Sequence, residues 1–579
     1  MRIGCVLMLV VMLGGVAMPV RGAVGFDDLP PQSEAPTDQA MRAATRQVWA
    51  KLHGQAVEPA EVADDLPRIV ILSISDGQHP AKVVHAGGRG LLAAAEAAAA
   101  KLPAGSKPKW MRLDVVTRVA PVTKMRDTFV GAYQPARDGL AIGQGDQQIT
   151  LLSSQLLGGG FIDDQRLVVD ALRLDVPGFA DLWDARPVRL QRFSTVGMCY
   201  DGERMIPLLD GYRNLSDPTA DELLDIANQA GRYLTQAVND DGRIDYNYDP
   251  VTDSIDDDYN NVRHAGVLYA MAELYGTSPD SDLLAAIRRA TDFLLALRRE
   301  EKTSDGKDVA FIVDRTDQIS LGGTAVALLA LTEIINTTGR RDLLPLADRF
   351  ADWIINAQDD RGYFTFHVMT WPQRRIVDYR SPYYTGEAVL ALIRLYMITK
   401  DDRLLQAAVR STRWQITTVV PQADSDVLHD HWMLYSSNDV SRFVRDQLIV
   451  KFCARLTRLI AASQHDGQYD RLWAGGWYVP PRSTPAATRA EGLGAARQVF
   501  LRFDDRQNAS LARDVMRRSI TYQLRTYVGP ERAMFFRNPA RVHGAFTGSL
   551  VHLNVRNDFL QHNISALLAY RRILLEKSP

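Results

Sequence analysis

Cysteine is scarce, three in 579 residues, and Cys5 falls in an apolar N-terminal run. The remaining two, Cys199 and Cys453, have no Cys or His nearby at metal-ligand spacing, which argues against a disulfide framework and against a zinc site. An excess of one charge is also missing: the formal net charge is −2, with no basic stripe, so a general nucleic-acid binder is not expected. Beyond the N-terminal run, no segment reads as long and apolar enough to cross a bilayer. Gly158, Gly159 and Gly160 lack the following Lys-Ser/Thr of a phosphate-binding loop and read as a turn. No cofactor motif stands out, and neither a cofactor nor a metal is expected.

What the chain does have is a globular composition, 46% hydrophobic and 23% charged, at a length that calls for at least two domains. Met1 to Leu13 carries one positive charge and then an apolar run ending near Gly14, Gly15 and Ala17, the layout of a signal peptide over 1–23. Export to the periplasm or beyond is the corresponding expectation. Residues 24–65, rich in Asp, Pro, Gln and Ala with one short helix, read as a linker. Residues 66–212 read as a smaller α+β domain. Strands are expected at 68–75, 111–117, 149–153 and 188–194, with helices at 90–101 and about 163–173.

From 217 to 575 the chain is almost wholly helical, and two kinds of helix alternate. Tyr259-Asn-Asn-Val-Arg-His-Ala-Gly-Val-Leu-Tyr-Ala-Met-Ala-Glu-Leu-Tyr275 opens on polar residues and is then apolar on nearly every face. Such a helix must be enclosed by protein. Similar stretches begin near Gly322, Gly386, His431, Arg489 and Asp558, at the loose recurrence of a stacked supersecondary unit. Between them lie amphipathic segments at 217–238, 280–298, 341–357, 401–417, 440–463 and 506–526, the first with Asp217 as cap and Pro218 just inside. Six enclosed and six amphipathic helices in alternation predict an (α/α)6 toroid. Short antiparallel connections then bring the six inner N-termini to one mouth.

Helix N-termini favour anionic groups, and Arg263, His264, His429, His431, Arg489, Arg556 and His562 fall near inner starts. Two carboxylates stand there too, Glu387 and Glu491, with Asp258, Asp430 and Asp558 nearby. Glycosidic hydrolysis needs a carboxyl pair, about 5 Å or about 6.5–9.5 Å apart according to stereochemistry. Proton abstraction beside a uronate needs a base, for which Tyr259, Tyr384, His264 and His431 suit. Tyr246 and Tyr248, Tyr363 and Phe364, and Trp477 and Tyr478 supply flat rings for sugar faces or for loop packing. Each polar residue also has a structural reading. Asn260, Arg263 and His264 can cap or bond between helices, and Thr488 with Glu491 matches a capping box. The dipole alone favours Glu387, and His562 could be a satisfied core histidine. His429 and His431, two apart, point to different faces and do not share a metal.

The 217–575 region resembles six-hairpin toroid enzymes acting on carbohydrates: N-acylglucosamine 2-epimerases, glucuronyl C5-epimerases, unsaturated-uronyl hydrolases and toroid polysaccharide lyases. The resemblance rests on the alternation, on Tyr384-Thr-Gly-Glu-Ala-Val-Leu-Ala-Leu392, on the turn Asp359-Asp-Arg-Gly-Tyr-Phe364 and on Arg489-Ala-Glu-Gly-Leu493. It implies an enzyme whose partner is a glycan, with an anionic one favoured by the basic side chains. Glycosidic hydrolysis by Glu387 and Glu491 is the first expectation. A uronate epimerase or lyase is the second, with His264 or Tyr259 as base and Arg263 or Arg489 on the carboxylate. Asn260, Tyr384, His431, Tyr246, Tyr248 and His562 complete the expected binding set. A toroid that binds envelope glycan or protein without chemistry is the third.

Overall fold

The computed structural model describes residues 24–576 apart from 57–61, 63, 126–127, 131–132, 145–146, 164–165, 186–187, 421–422 and 428. The expected signal peptide, 1–23, lies outside the described residues. The first helix, α1 (Asp38–His53), starts at Thr37, whose side chain accepts from Ala40 N, and ends at Gly54 in the left-handed region. It is longer and more buried than a linker allows. Met41, Ala44, Val48 and Trp49 pack into a core with Val70, Leu72 and Leu113 of the following sheet, which corrects the linker reading for this stretch.

That sheet is antiparallel throughout. Its strands are β1 (Pro67–Ser75), β2 (Lys82–Arg89), β3 (Trp110–Pro121), β4 (Gly139–Gln144), β5 (Gln147–Leu151), β6 (Leu190–Tyr200), β7 (Met205–Leu209) and β8 (Tyr212–Arg213). They run in the order β8-β7-β6-β3-β1-β2, with β4 on the first half of β6 and β5 beyond it. Helix α2 (Leu91–Ala99) lies with α1 on one face. Because side chains alternate along a strand, Val70, Leu72 and Leu113 meet those helices while Ile69, Ile71, Val116 and Phe193 belong to the core of the rest of the molecule. The helix expected near 163–173 is two short ones, Val169–Asp175 and Phe179–Asp184.

Twelve helices then form the toroid. The outer ones are α3 (Ala220–Ala237), α5 (Ser281–Ala296), α7 (Leu344–Asn356), α9 (Asp402–Trp414), α11 (Gln447–Ala462) and α13 (Arg506–Thr526). The inner ones are α4 (Asn261–Thr277), α6 (Leu321–Thr338), α8 (Tyr384–Thr399), α10 (His431–Val440), α12 (Ser483–Arg502) and α14 (Asn557–Leu575). Each inner helix packs on the next, and α14 closes the ring onto α4. The cap of α3 is Thr219, in a capping box with Glu222, two residues beyond the expected Asp217. By length and composition α6 alone among the described helices could cross a bilayer, contrary to the sequence expectation, but 78% of its span is buried inside the protein. Neighbouring inner helices meet start to start: a Cβ on Gly322, at the beginning of α6, would fall 2.3 Å from the Tyr384 ring and 2.4 Å from Glu387 Oε2 on α8.

Sheet and toroid share a buried ionic seam. Arg112 is fully buried on β3, donating to both oxygens of Asp114 (2.7 and 2.9 Å) and to the Glu531 carbonyl of a helical turn between α13 and α14 (2.9 Å). Arg213, on β8, donates to both carboxyl oxygens of Glu531 at 2.8 and 3.2 Å.

Candidate active site

The starts of α4, α6 and α8 border a cleft of about 350 Å³ lined by Asn260, Asn261, Ser320, Tyr379 and Tyr384 among others. Tyr384 begins α8 and Glu387 follows three residues later on the same face. Gly322 leaves the space that the Tyr384 ring and the Glu387 carboxyl occupy. Glu387 is 4% exposed, and its Oε2 has no hydrogen-bond partner. Burial, with Asp430 nearby, pushes its pKa up to about 8. Asp430 caps α10, accepting from Trp432 N at 2.9 Å and Met433 N at 3.4 Å. Those two N–H groups only partly offset burial, which raises it to about 7. Two carboxyl groups are thus held able to donate protons near neutrality.

Deeper in the barrel, three helices bring His431, Glu491 and His562 together. His562 Nδ1 lies 2.9 Å from Glu491 Oε1, and the His431 ring stands edge-on to His562 with centroids 5.2 Å apart. A carboxylate only accepts, so with Glu491 ionised and the imidazole neutral, Nδ1–H donates and His562 Nε2 keeps its lone pair. Burial raises Glu491 above the ordinary carboxylate range, which His562 beside it only partly offsets. His431 is driven well below the ordinary imidazole range by burial and then by His562 and Arg489, and its Nε2 has no partner. Gly492 permits the approach, since a Cβ there would meet His431 Cα at 3.2 Å. The three residues offer two nitrogens and one oxygen within 4.8 Å of one another, a set that could hold a divalent transition ion. That set draws on three helices, so the spacing of His429 and His431 could not disclose it.

Arg489 forms the adjoining wall. Its Nε donates to His429 Nδ1 at 3.1 Å, its terminal nitrogens to the Pro485 carbonyl at 3.1 Å and the Tyr478 hydroxyl at 3.2 Å. The rings of Trp477 and Tyr478 lie 5.2 and 5.1 Å from it. Burial raises the Tyr383 hydroxyl, and Asp430, Tyr478, Arg489 and Glu387 are all close enough for their charge to influence it. The capping-box reading of Thr488 and Glu491 is corrected: α12 begins at Ser483, and the Thr488 hydroxyl donates back to the Thr484 carbonyl. Glu491 therefore lies more than two turns inside its helix.

The other expected site residues lie apart from this space. Arg263 is 3.5 Å from Asp558 and donates to the Tyr246 hydroxyl at 2.5 Å, while Arg556 takes Asp558 as well. Its charge is already answered, so it does not present a free cation to a substrate carboxylate. His264 bonds through Nε2 to the Ala290 carbonyl of α5 at 2.9 Å and stacks on Phe293. Burial lowers it to about 4, and it holds two helices together instead of serving as base. Tyr259 packs on His264 and Phe293 with Arg315 over its ring, and burial raises its hydroxyl far above neutrality, which does not suit a base. Asn260 caps α4 through Arg263 N while also lining the cleft. Tyr248 is buried beneath the rim, donating to Asp253 at 2.7 Å, so it offers no sugar-binding face. Asp430, noted in sequence only as a neighbour, and Tyr383 are the residues that the sequence reading undervalued; a lone Asp before a polar-then-apolar helix was the available signal for the first.

No protein-family profile and no curated protein matches the sequence. Among solved structures, an α-1,6-mannanase of Salegentibacter in complex with α-1,6-mannotriose aligns at TM-score 0.44 and 10% identity over 61% of this chain and 99% of its own. Cellobiose 2-epimerase from Spirochaeta thermophila aligns at 0.45 and 14% over 61% and 96%. An unsaturated glucuronyl hydrolase specific for heparin aligns at 0.43 and 14% over 61% and 98%.

Proposed function

We propose that the mouth is the active site of an exported carbohydrate-active enzyme that moves a proton at a sugar carbon beside a carbonyl or carboxyl group, an epimerase or isomerase chemistry. The observation that carries this is the 2.9 Å contact of His562 Nδ1 with Glu491 Oε1, which orients the ring and leaves Nε2 as a ready base. The base takes the C–H proton, the electron pair moves to the carbonyl or carboxyl oxygen, and Glu387, protonated near neutrality, supplies a proton there. Reprotonation of the carbon on its opposite face from solvent, with the enol O–H returning its proton to Glu387 and His562 releasing its own to solvent, re-forms the carbonyl or carboxyl group and gives the epimer. In this reading Glu491, in contact with His562, orients that ring in place of the role of free base paired with Glu387.

Reducing disaccharides and uronic-acid oligosaccharides incubated with the protein in D2O test the reading. Deuterium at the carbon beside the carbonyl or carboxyl group, lost in His562→Gln and Glu387→Gln, is the expected outcome. Hydrolysis is the second reading, favoured by two buried carboxyl groups, Glu387 and Asp430, standing near one another at the mouth. New reducing ends without carbon-bound deuterium would select it. Binding without either product would remove both.

A further inference from the structure

Most arginines that reach into the barrel meet a carboxylate. Arg263 and Arg556 share Asp558, Arg394 lies between Glu333 and Asp439, and Arg572 takes Glu273. Arg489 differs. It is 7% exposed, yet its bonded partners are an imidazole, a carbonyl and a phenol, and among the described residues it makes no ion pair. Buried charges are normally paired, because removing one from water without a counter-charge is costly.

The guanidinium has five N–H donors. Nε uses its own, and each terminal nitrogen spends one, which leaves one N–H on each terminal nitrogen. Two such donors on a planar fork match a carboxylate or phosphate. Trp477 and Tyr478 hold the plane. Tyr383 and Tyr478, 40% and 51% exposed, present rings at the opening beside it, and His431 is close enough to feel its charge.

We propose that Arg489 anchors an acidic group carried by the sugar, a carboxylate or a phosphate ester, while the adjoining ring reaches His431 and Glu387. This rests on the carbohydrate reading above for the class of ligand. Calorimetric titration at pH 7 and low salt with cellobiouronic acid, cellobiose 6′-phosphate and cellobiose tests it. Either acidic disaccharide binds the full chain at least about tenfold more tightly than cellobiose, and the better of the two identifies the acidic group. Arg489→Gln removes the preference of the acidic ligands over cellobiose; Arg489→Lys, a point charge without the fork, retains part of it. For the wild type, raising KCl weakens the acidic ligands and not cellobiose, a readout that stands even where a variant folds poorly. Equal binding of all three, binding of none, or a preference that survives in Arg489→Gln overturns the proposal. Acid preference without deuterium exchange would leave this subsite standing and remove the proton-transfer reading. Exchange on neutral sugars without acid preference would do the reverse.

Discussion

Buried charge is mostly paired at the seam between sheet and toroid, Arg532 over the Tyr212 ring excepted, and mostly unpaired at the wall of the barrel mouth. At the seam, Arg112, Asp114, Arg213 and Glu531 satisfy one another through paired bonds of 2.7 to 3.2 Å. In the mouth, Glu387 Oε2 and His431 Nε2 lack partners, and Arg489 lacks a counter-charge. A paired cluster rigidifies a boundary; an unsatisfied one carries a standing cost that a ligand can relieve. The difference separates a structural use of buried charge from a functional one in the same chain.

The comparison breaks most visibly at the seam. Glu531→Ala strands Arg213 and is expected to cost about 3–5 kcal/mol in urea unfolding. An unfolding midpoint unchanged from wild type would mean that the seam is not a supporting cluster. Next comes Gly322→Ala, whose new Cβ collides with Tyr384 and Glu387. A loss of about 1–3 kcal/mol is expected, together with reduced activity because both side chains must move. Glu387→Gln should do the opposite of Glu531→Ala, leaving the fold at least as stable at neutral pH while lowering turnover by about 100- to 10,000-fold. If it destabilises the fold as strongly as the seam variant does, the mouth belongs with the structural clusters.

Titration sharpens the contrast. Glu387 binds its proton more tightly in the fold than in the unfolded chain, with a pKa of about 8 against an ordinary 4.5. Its contribution is therefore fully present below about pH 4.5 and lost as pH rises through 8. Asp430 acts in the same direction up to about 7. Unfolding free energy should decline over that window, and in Glu387→Gln the decline should be shallower. His264 and His429, lowered to about 4, act with the opposite sign: their contribution is present above about 6.5 and fades as pH falls through 4. Smallest of all, Thr219→Ala removes the α3 capping box at a cost of about 1 kcal/mol, without effect on either cluster.

Much of the toroid was legible because an enclosed helix and a half-exposed one differ in composition along their whole length. Gly322, Gly386 and His431 fall within the first three residues of their helices. Glu387 was legible as an acid on an otherwise apolar face. Partnerships were not: Glu491 meets His562 across 71 residues, and Arg263 is neutralised by Asp558 on a different helix. Neither pairing has a local signature. Local signatures also misled, since Thr488 and Glu491 have capping-box spacing inside a helix that had begun five residues earlier. Polar composition likewise concealed α1, whose apolar face becomes evident only when Trp49 and Val48 are seen against the sheet.

The seal between α14 and α4 joins Ser565 to Glu273 across 292 residues of chain. A contact that distant is entropically late and slow to form. Until it does, two greasy flanks stay open side by side, an invitation to neighbouring molecules in a crowded cell. The nascent protein is thus most vulnerable to sticking during the interval before its first and last inner rods find each other.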